Sequence, residues 1–396
     1  MVLGEVMKQT GDLSLMKKLN KALVLELIRH ESPTSRARIA EKTGLTKATV
    51  SSLVTELIDA NLAYESGAGE SRGGRKPVTL LFQEKAGYAI GIDLGTDGMT
   101  AVLTDLNGTI VDERRKKNNN RETLSAIAVL GSCIRELMDS APTSPYGIIG
   151  IGIGIPGFSD EAGNVLFAPN LGWENVPLQS LLEQEYNLPI VIENEANVGA
   201  LGESRYGLAK GTANLVHVSI GAGIGTGILL KGELYRGASG FSGEMGHISI
   251  HPDGKPCRCG NVGCWELYAS ENALVDAARK EYEDPDITLD GLLEKAEQGE
   301  ELALQLLEEH ARYLGVGLIN IINSFNPELI ILGGRLAAAE KWLSEPLQHF
   351  VESRSLPYPR AKLDIRFSQL GDRATVLGAA SIAIANFFAS PKLSVE

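Results

Sequence analysis

Four side chains within 18 residues could grip a metal ion: His247, Cys257, Cys259 and Cys264, in the segment GEMGHISIHPDGKPCRCGNVGCWE. Thiolate sulfur and imidazole nitrogen are the ligands of a tetrahedral zinc site, and four protein ligands leave no position open for a reacting water. The spacing therefore predicts a structural Zn2+ rather than a catalytic one. Gly254, Gly260 and Gly263 would let the backbone wrap the ion, and His251 is an alternative source of the imidazole. Three clustered thiols in an intracellular chain point to metal rather than to disulfides. Cys133 stands apart, in a helix-like stretch, and reads as a small core residue.

Acceptor groups flank this knuckle. Glu244 and His247 lead into it, Glu266 follows Cys264 by two residues, and Asn194-Glu195 ends the apolar run IVIEN. Carboxylates accept hydrogen bonds from vicinal hydroxyls, and a metal-bound imidazole keeps a second ring nitrogen that can donate. If folding brings these groups to one cleft, the chemistry they offer is recognition of a polyhydroxylated ligand, a sugar.

A second constellation lies near the N-terminus. Ala37, Ile39, Ala40, Gly44, Leu45, Val50 and Leu53 are spaced as in a helix-turn-helix. Its recognition helix would present Thr46, Lys47, Ala48, Thr49, Ser51 and Ser52, with Arg36 at the start of the preceding helix. Short polar and cationic groups of this kind reach base edges and phosphates in the major groove. Arg72, Arg75 and Lys76 sit on a glycine-flexible wing, suited to a narrow minor groove. Charge agrees with this division. Residues 1–87 carry 13 Lys/Arg against 10 Asp/Glu, so a head of +3 precedes a remainder of −16 within the net −13. Such a molecule meets DNA by one end only.

The elements that must position these groups follow from periodicity. A helix is predicted over 14–30, with Leu15, Leu19, Leu23 and Leu27 on one face, ending at Ser32-Pro33. A second helix runs from Ser35, its N-cap, to Thr43; after the Gly44-Leu45 turn, Thr46 caps a third over Lys47–Asp59. Residues 62–65 and 77–82 alternate like strands around the wing. From Tyr88, apolar strands recur at 89–95, 101–108, 148–157, 190–194, 215–225 and 329–334, all but 190–194 ending in glycine. Helical stretches at 122–139, 178–186, 271–280 and 301–324 lie between several of them, and Lys116–Asn120 reads as a polar loop. This pattern is an α/β class with ligands at strand ends. Hydrophobic content of 43% with 22% charged residues suits a globular protein. No run approaches the roughly 18 apolar residues that cross a bilayer, and no signal-peptide pattern opens the chain, so a cytoplasmic location without membrane partners is expected.

Cys257-Arg258-Cys259-Gly260-Asn261-Val262-Gly263-Cys264-Trp265-Glu266, with Glu244-Met245-Gly246-His247, resembles the signature of the ROK family of repressors and sugar kinases. With the N-terminal winged helix, the chain is similar to the repressor branch; SPYGIIGIGIGIPG, YRGASGFSGEMGH and GCWELYASE look like the xylose repressors of Gram-positive bacteria. The resemblance implies a winged helix-turn-helix over 1–86 and a two-lobed, actin/hexokinase-like ROK domain over 87–396, with the zinc knuckle at 247–264. It implies zinc on His247, Cys257, Cys259 and Cys264. Sugar contacts are implied at Asn194, Glu195, Glu244, His247 and Glu266, with Gly157 and Asn170 as further candidates. The implied partners are a palindromic operator, a monosaccharide effector of which D-xylose is the expected one, and a second copy in a homodimer or higher homo-oligomer.

The alternative is an active sugar kinase bearing a DNA-binding head. Family kinases resemble one another in a DxGGTK phosphate loop and an Asn-Asp pair whose Asp is the base. This chain reads Asp93-Leu94-Gly95-Thr96-Asp97-Gly98 and Asn194-Glu195. An added anion, a missing cation and a longer carboxylate all disfavour phosphoryl transfer, although the glycine loops 221–227 and 333–334 are kept. The expectation is a switch and no enzyme. Control by another sugar or by a transport protein is the remaining alternative.

Overall fold

The computed structural model describes residues 13–67, 78–95, 98–117 and 123–390. Three helices, Leu13–Glu31, Arg36–Thr43 and Lys47–Asp59, and an antiparallel pair of strands, Ala63–Ser66 and Thr79–Phe82, form the N-terminal head. The caps explain the boundaries. The Ser35 hydroxyl accepts from the Arg38 N–H, and that of Thr46 from the Thr49 N–H. Between them Gly44 turns the chain at φ 70°, where a side chain would be strained, and its N–H closes on the Ala40 carbonyl.

The first helix buries a different face from the one its leucine spacing suggested. Leu15, Leu19 and Leu23 are exposed and Leu27 only half-buried, whereas Val24, Leu25 and Ile28 are fully packed. The 3.6-residue period holds; the neighbours select the stripe. Val24, Leu25 and Ile28 join Ile39, Val50, Leu53, Val54, Leu57 and Leu80 in a core that also includes Ala380, Ala383 and Ile384 of the C-terminal helix Arg373–Ala389. Head and body thus share one core. The Arg29 guanidinium lies 4.3 Å from the Phe388 ring centroid, and the Tyr146 hydroxyl donates to the Ala60 carbonyl at 2.7 Å.

The body has two lobes. In the first, strands run in the order Ile190–Asn194, Ile148–Ile155, Tyr88–Leu94, Gly98–Asp105, Ile110–Lys117. In the second the order is Glu233–Leu234, Ile224–Leu230, Leu215–Ile220, Leu329–Gly333, Asp364–Phe367. Phe158–Ser159, Val165–Ala168 and Trp173–Val176 form a further small sheet. The run 215–225 is not one strand: it opens into an antiparallel hairpin, Leu215–Ile220 against Ile224–Leu230, because Gly221-Ala222-Gly223 reverses the chain. Lys116 and Lys117 belong to the edge strand Ile110–Lys117 rather than to a loop, and the rest of that loop, 118–120, lies outside the described residues. Charged side chains suit an exposed edge; here Ser132 and Glu136 also hold the Lys116 ammonium.

Helix Glu195–Tyr206 packs on the second sheet and helix Arg373–Ala389 on the first, and the two helices cross each other backbone to backbone. A Cβ on Gly202 would meet the Ala374 carbonyl oxygen at 2.0 Å, and one on Gly378 the Val198 carbonyl oxygen at 1.7 Å. Such contact transmits displacement with little slack. Among the described residues no helix is long and apolar enough to cross a membrane.

Candidate functional site

The knuckle assembles as its spacing predicts. Ligand atoms of His247, Cys257, Cys259 and Cys264 lie within 4.8 Å of one another. The Cys259 and Cys264 sulfurs are 3.6 Å apart, and Cys257 Sγ is 3.7 Å from His247 Nδ1. Sulfurs at about 2.3 Å from a tetrahedral zinc stand about 3.8 Å apart, so the four donors fit the ion in both chemistry and span. Gly260 and Gly263, at φ 91° and 74°, shape the turn, and a Cβ on Gly263 would lie 1.7 Å from the His251 carbonyl oxygen. His251 is not part of the cluster. Its ring packs against Tyr268, with centroids 4.9 Å apart.

Beside the knuckle is a cleft of about 310 Å3 between the lobes. It collects Gly157, Asn170, Asn194 and Glu195 from the first lobe and Glu244, His247 and Glu266 from the second, all seven of the expected sugar residues. Glu266 links the two features. Its Oε1 lies 3.3 Å from His247 Nδ1 and 3.2 Å from Cys257 Sγ, while Oε2 faces Gly223. His247 Nε2 points the other way, 3.9 Å from Glu244 Oε2. Asn194 is occupied locally: its Oδ1 caps helix Glu195–Tyr206 by accepting from Ala196 and Asn197, and its Nδ2 donates to the Gly157 carbonyl at 3.2 Å. Its contribution is to shape the turn that presents Glu195. Gly157 has no room for a side chain, since a Cβ would sit 2.5 Å from the Phe167 carbonyl oxygen.

Among the residues that line the cleft without having been expected as sugar contacts are Asp93 and His217. Burial, and then the charges of Glu195 and Asp372, lift the Asp93 carboxyl to about 8; burial alone lifts that of Glu195 to about 7. Burial lowers the His217 imidazole to about 4. The sequence signal for Asp93 was its place at a glycine-ended strand. For His217, inside an apolar strand, there was none.

The acidic floor carries a pH dependence. Carboxyls whose folded values lie above their unfolded ones hold more protons in the folded state, so stability is full below the ordinary carboxylate range, falls as pH rises from there to the folded values of about 7 and 8, and is level beyond them. Stability without ligand is expected to drop between about pH 4.5 and 8 and to level off above, with Glu195 alone contributing on the order of 3 kcal/mol by pH 7. Glu195→Gln should flatten the drop; a melt profile identical to that of the unaltered chain would refute the assignment.

In the head, Thr46, Lys47, Ala48, Ser51 and Ser52 are exposed on the recognition helix, while the Thr49 hydroxyl pairs with that of Thr46 at 2.8 Å. Arg36 is engaged by Glu65 of the first head strand. Arg72, Arg75 and Lys76 lie outside the described residues, as do Thr96 and Asp97 of the loop after Asp93.

Comparison with known proteins agrees with this architecture. The family model described as "ROK family" matches residues 89–386. The chain is 42% identical over 378 residues to the xylose repressor of Bacillus spizizenii, spanning 95% of this chain and 98% of that protein. A crystal structure of a ROK family transcriptional regulator, described as a homologue of the E. coli MLC protein, superposes with a TM-score of 0.81 at 30% identity, covering 96% of this chain and 99% of that one. A ROK family glucokinase from Streptomyces griseus, solved with glucose and AMPPNP, matches at TM-score 0.69 and 30% identity over 74% of this chain and 98% of that one.

Proposed function

The chain belongs to the ROK family, and from that premise we propose how it works as a sugar-responsive transcriptional repressor, with xylose-utilisation genes as its targets and D-xylose as its effector. It is not an enzyme. The two head helices that would engage DNA and the carboxylate cleft are joined by one observation on which the reading rests: helix Arg373–Ala389 begins beside the cleft, at Ala374 and Thr375, and ends in the core of the head, at Ile384, Phe387 and Phe388.

In this proposal residues 1–86 form the DNA-binding domain and 87–396 the sugar-binding domain. His247, Cys257, Cys259 and Cys264 hold a structural Zn2+, which would fix the segment carrying Glu244 and Glu266. Those carboxylates and Glu195 accept hydrogen bonds from sugar hydroxyls, and His247 Nε2 is left facing the cleft. A homodimer places two recognition helices about 34–36 Å apart on a palindromic operator in the cytoplasm. Sugar that favours one separation of the lobes shifts the helix between them, and with it the head. By linkage, operator DNA must then weaken sugar binding.

The test is operator affinity of the purified full chain with and without D-xylose, D-glucose and N-acetylglucosamine. Release by D-xylose supports the reading; unchanged affinity with all three sinks it. Within the same assay Lys47→Ala should weaken operator binding and reduce the slope of log affinity against log salt by about 1, as expected for one lost phosphate contact. An unaltered slope would move Lys47 off the DNA.

A further inference from the structure

The segment Tyr235–Gly243, YRGASGFSG, leaves the second lobe after the short strand Glu233–Leu234 and rejoins it at Glu244 in the cleft. Residues 235–241 are all exposed. Gly237, Gly240 and Gly243 adopt φ of 69°, 90° and 91°, values that favour glycine, so the segment bends sharply three times without becoming a helix or strand. Its base is fastened to its own lobe, where the Thr226 hydroxyl donates to the Gly243 carbonyl.

Two side chains reach across to the other lobe. Arg236 donates from Nη2 and Nε to Glu193 Oε2, at 2.8 and 3.2 Å. The Phe241 ring meets Phe158 edge to face, with centroids 5.4 Å apart and planes at 78°. Phe158 lines the cleft. Glu193 is the penultimate residue of strand Ile190–Asn194, and its second oxygen, Oε1, accepts from the Asn194 N–H at 3.0 Å and the Asn197 Nδ2 at 2.9 Å. One carboxylate therefore holds the segment with one oxygen and the turn presenting Glu195 with the other.

We propose that residues 235–243 are the lid of the sugar cleft, and that Arg236, acting through Glu193, is a positioning residue that sets the Asn194–Glu195 turn when the lid is down. The inference rests on reading the cleft as a sugar site. Both bridging contacts join opposite lobes, so they persist only while the lobes are together. The lid partners, the Arg236 guanidinium and the Phe241 ring, are open to water, and two such contacts can break on the time scale of ligand exchange. With the lid closed, water is kept from the sugar hydroxyls and their bonds to the carboxylates strengthen.

The test is stopped-flow D-xylose binding, read by tryptophan fluorescence, on the full chain and on Arg236→Ala, Phe241→Ala, the double variant and Arg236→Lys. The double variant is expected to release D-xylose about tenfold faster, with unchanged thermal stability and unchanged operator affinity in the absence of sugar. Arg236→Lys should recover part of the slow release. An off-rate in the double variant equal to that of the unaltered chain overturns the lid and leaves the sugar site standing. Faster release accompanied by lower thermal stability overturns the positioning role in favour of a structural one. Failure of the unaltered chain to bind D-xylose overturns both the lid and the reading on which it rests.

Discussion

Glu266→Ala is expected to give a repressor that stays on its operator at D-xylose concentrations that release the unaltered chain, with sugar affinity lowered by about 100-fold. Hydrogen bonds to a charged group contribute about 1.5–3 kcal/mol each; with Oε1 of Glu266 turned to the knuckle, its Oε2 is the oxygen left for the sugar, and one bond at the upper end of that range is at stake. About 3 kcal/mol lost is roughly 100-fold in affinity. Glu244→Ala should behave in the same direction, since its carboxylate enters the cleft beside His247. The head lies at the far end of helix Arg373–Ala389, so operator affinity without sugar should be unchanged in both variants. Calorimetric titration with the sugar and anisotropy with a labelled operator check the two halves separately. Normal sugar affinity in both variants would remove the knuckle-side carboxylates from the site.

Stripping the metal should have the second large effect. His247, Cys257, Cys259 and Cys264 converge from a segment with little regular structure: Met245–His247 forms one short turn of helix, and the rest to Cys264 is held by isolated bridges such as Ser249 with Cys264 and Pro256 with Val262. A tightly bound ion stabilises such a segment through its preference for the folded state, by about 4 kcal/mol at a thousandfold excess over its dissociation constant. Cys264→Ser, or dialysis against a chelator, is expected to lower the melting temperature by several degrees and abolish the sugar response. Hydrogen exchange should locate the loosening at 245–266 and leave the head protected. Elemental analysis finding no metal in the purified chain, with no effect of chelation, would contradict the assignment.

Much of this was legible in the chain. Ser35, Gly44 and Thr46 act through bonds to backbone three or four residues away, so the helix boundaries of the head follow from local chemistry. The knuckle was legible for the same reason, its four donors lying on one short segment. The leucine stripe of Leu13–Glu31 misled because hydrophobic period specifies a helix but not its neighbour, and the neighbour includes a helix more than 340 residues downstream in sequence. His217 and Glu193 were illegible because their partners come from other elements: a Cβ on Gly333 would stand 2.4 Å from His217 Nε2, and Arg236 reaches Glu193 from the opposite lobe.

Sequence by itself therefore determined the chemistry on offer: a thiolate and imidazole set for a metal, carboxylates for hydroxyls, and a capped helix pair for DNA, each written in residues close together along the chain. Only the tertiary structure decided how these parts communicate. The cleft exists because two lobes contribute its walls, and its link to the head exists because glycines let two helices touch at their backbones while the far end of one enters the core of the head. Those are contacts between distant segments, and their free energy depends on shape complementarity that no local pattern encodes.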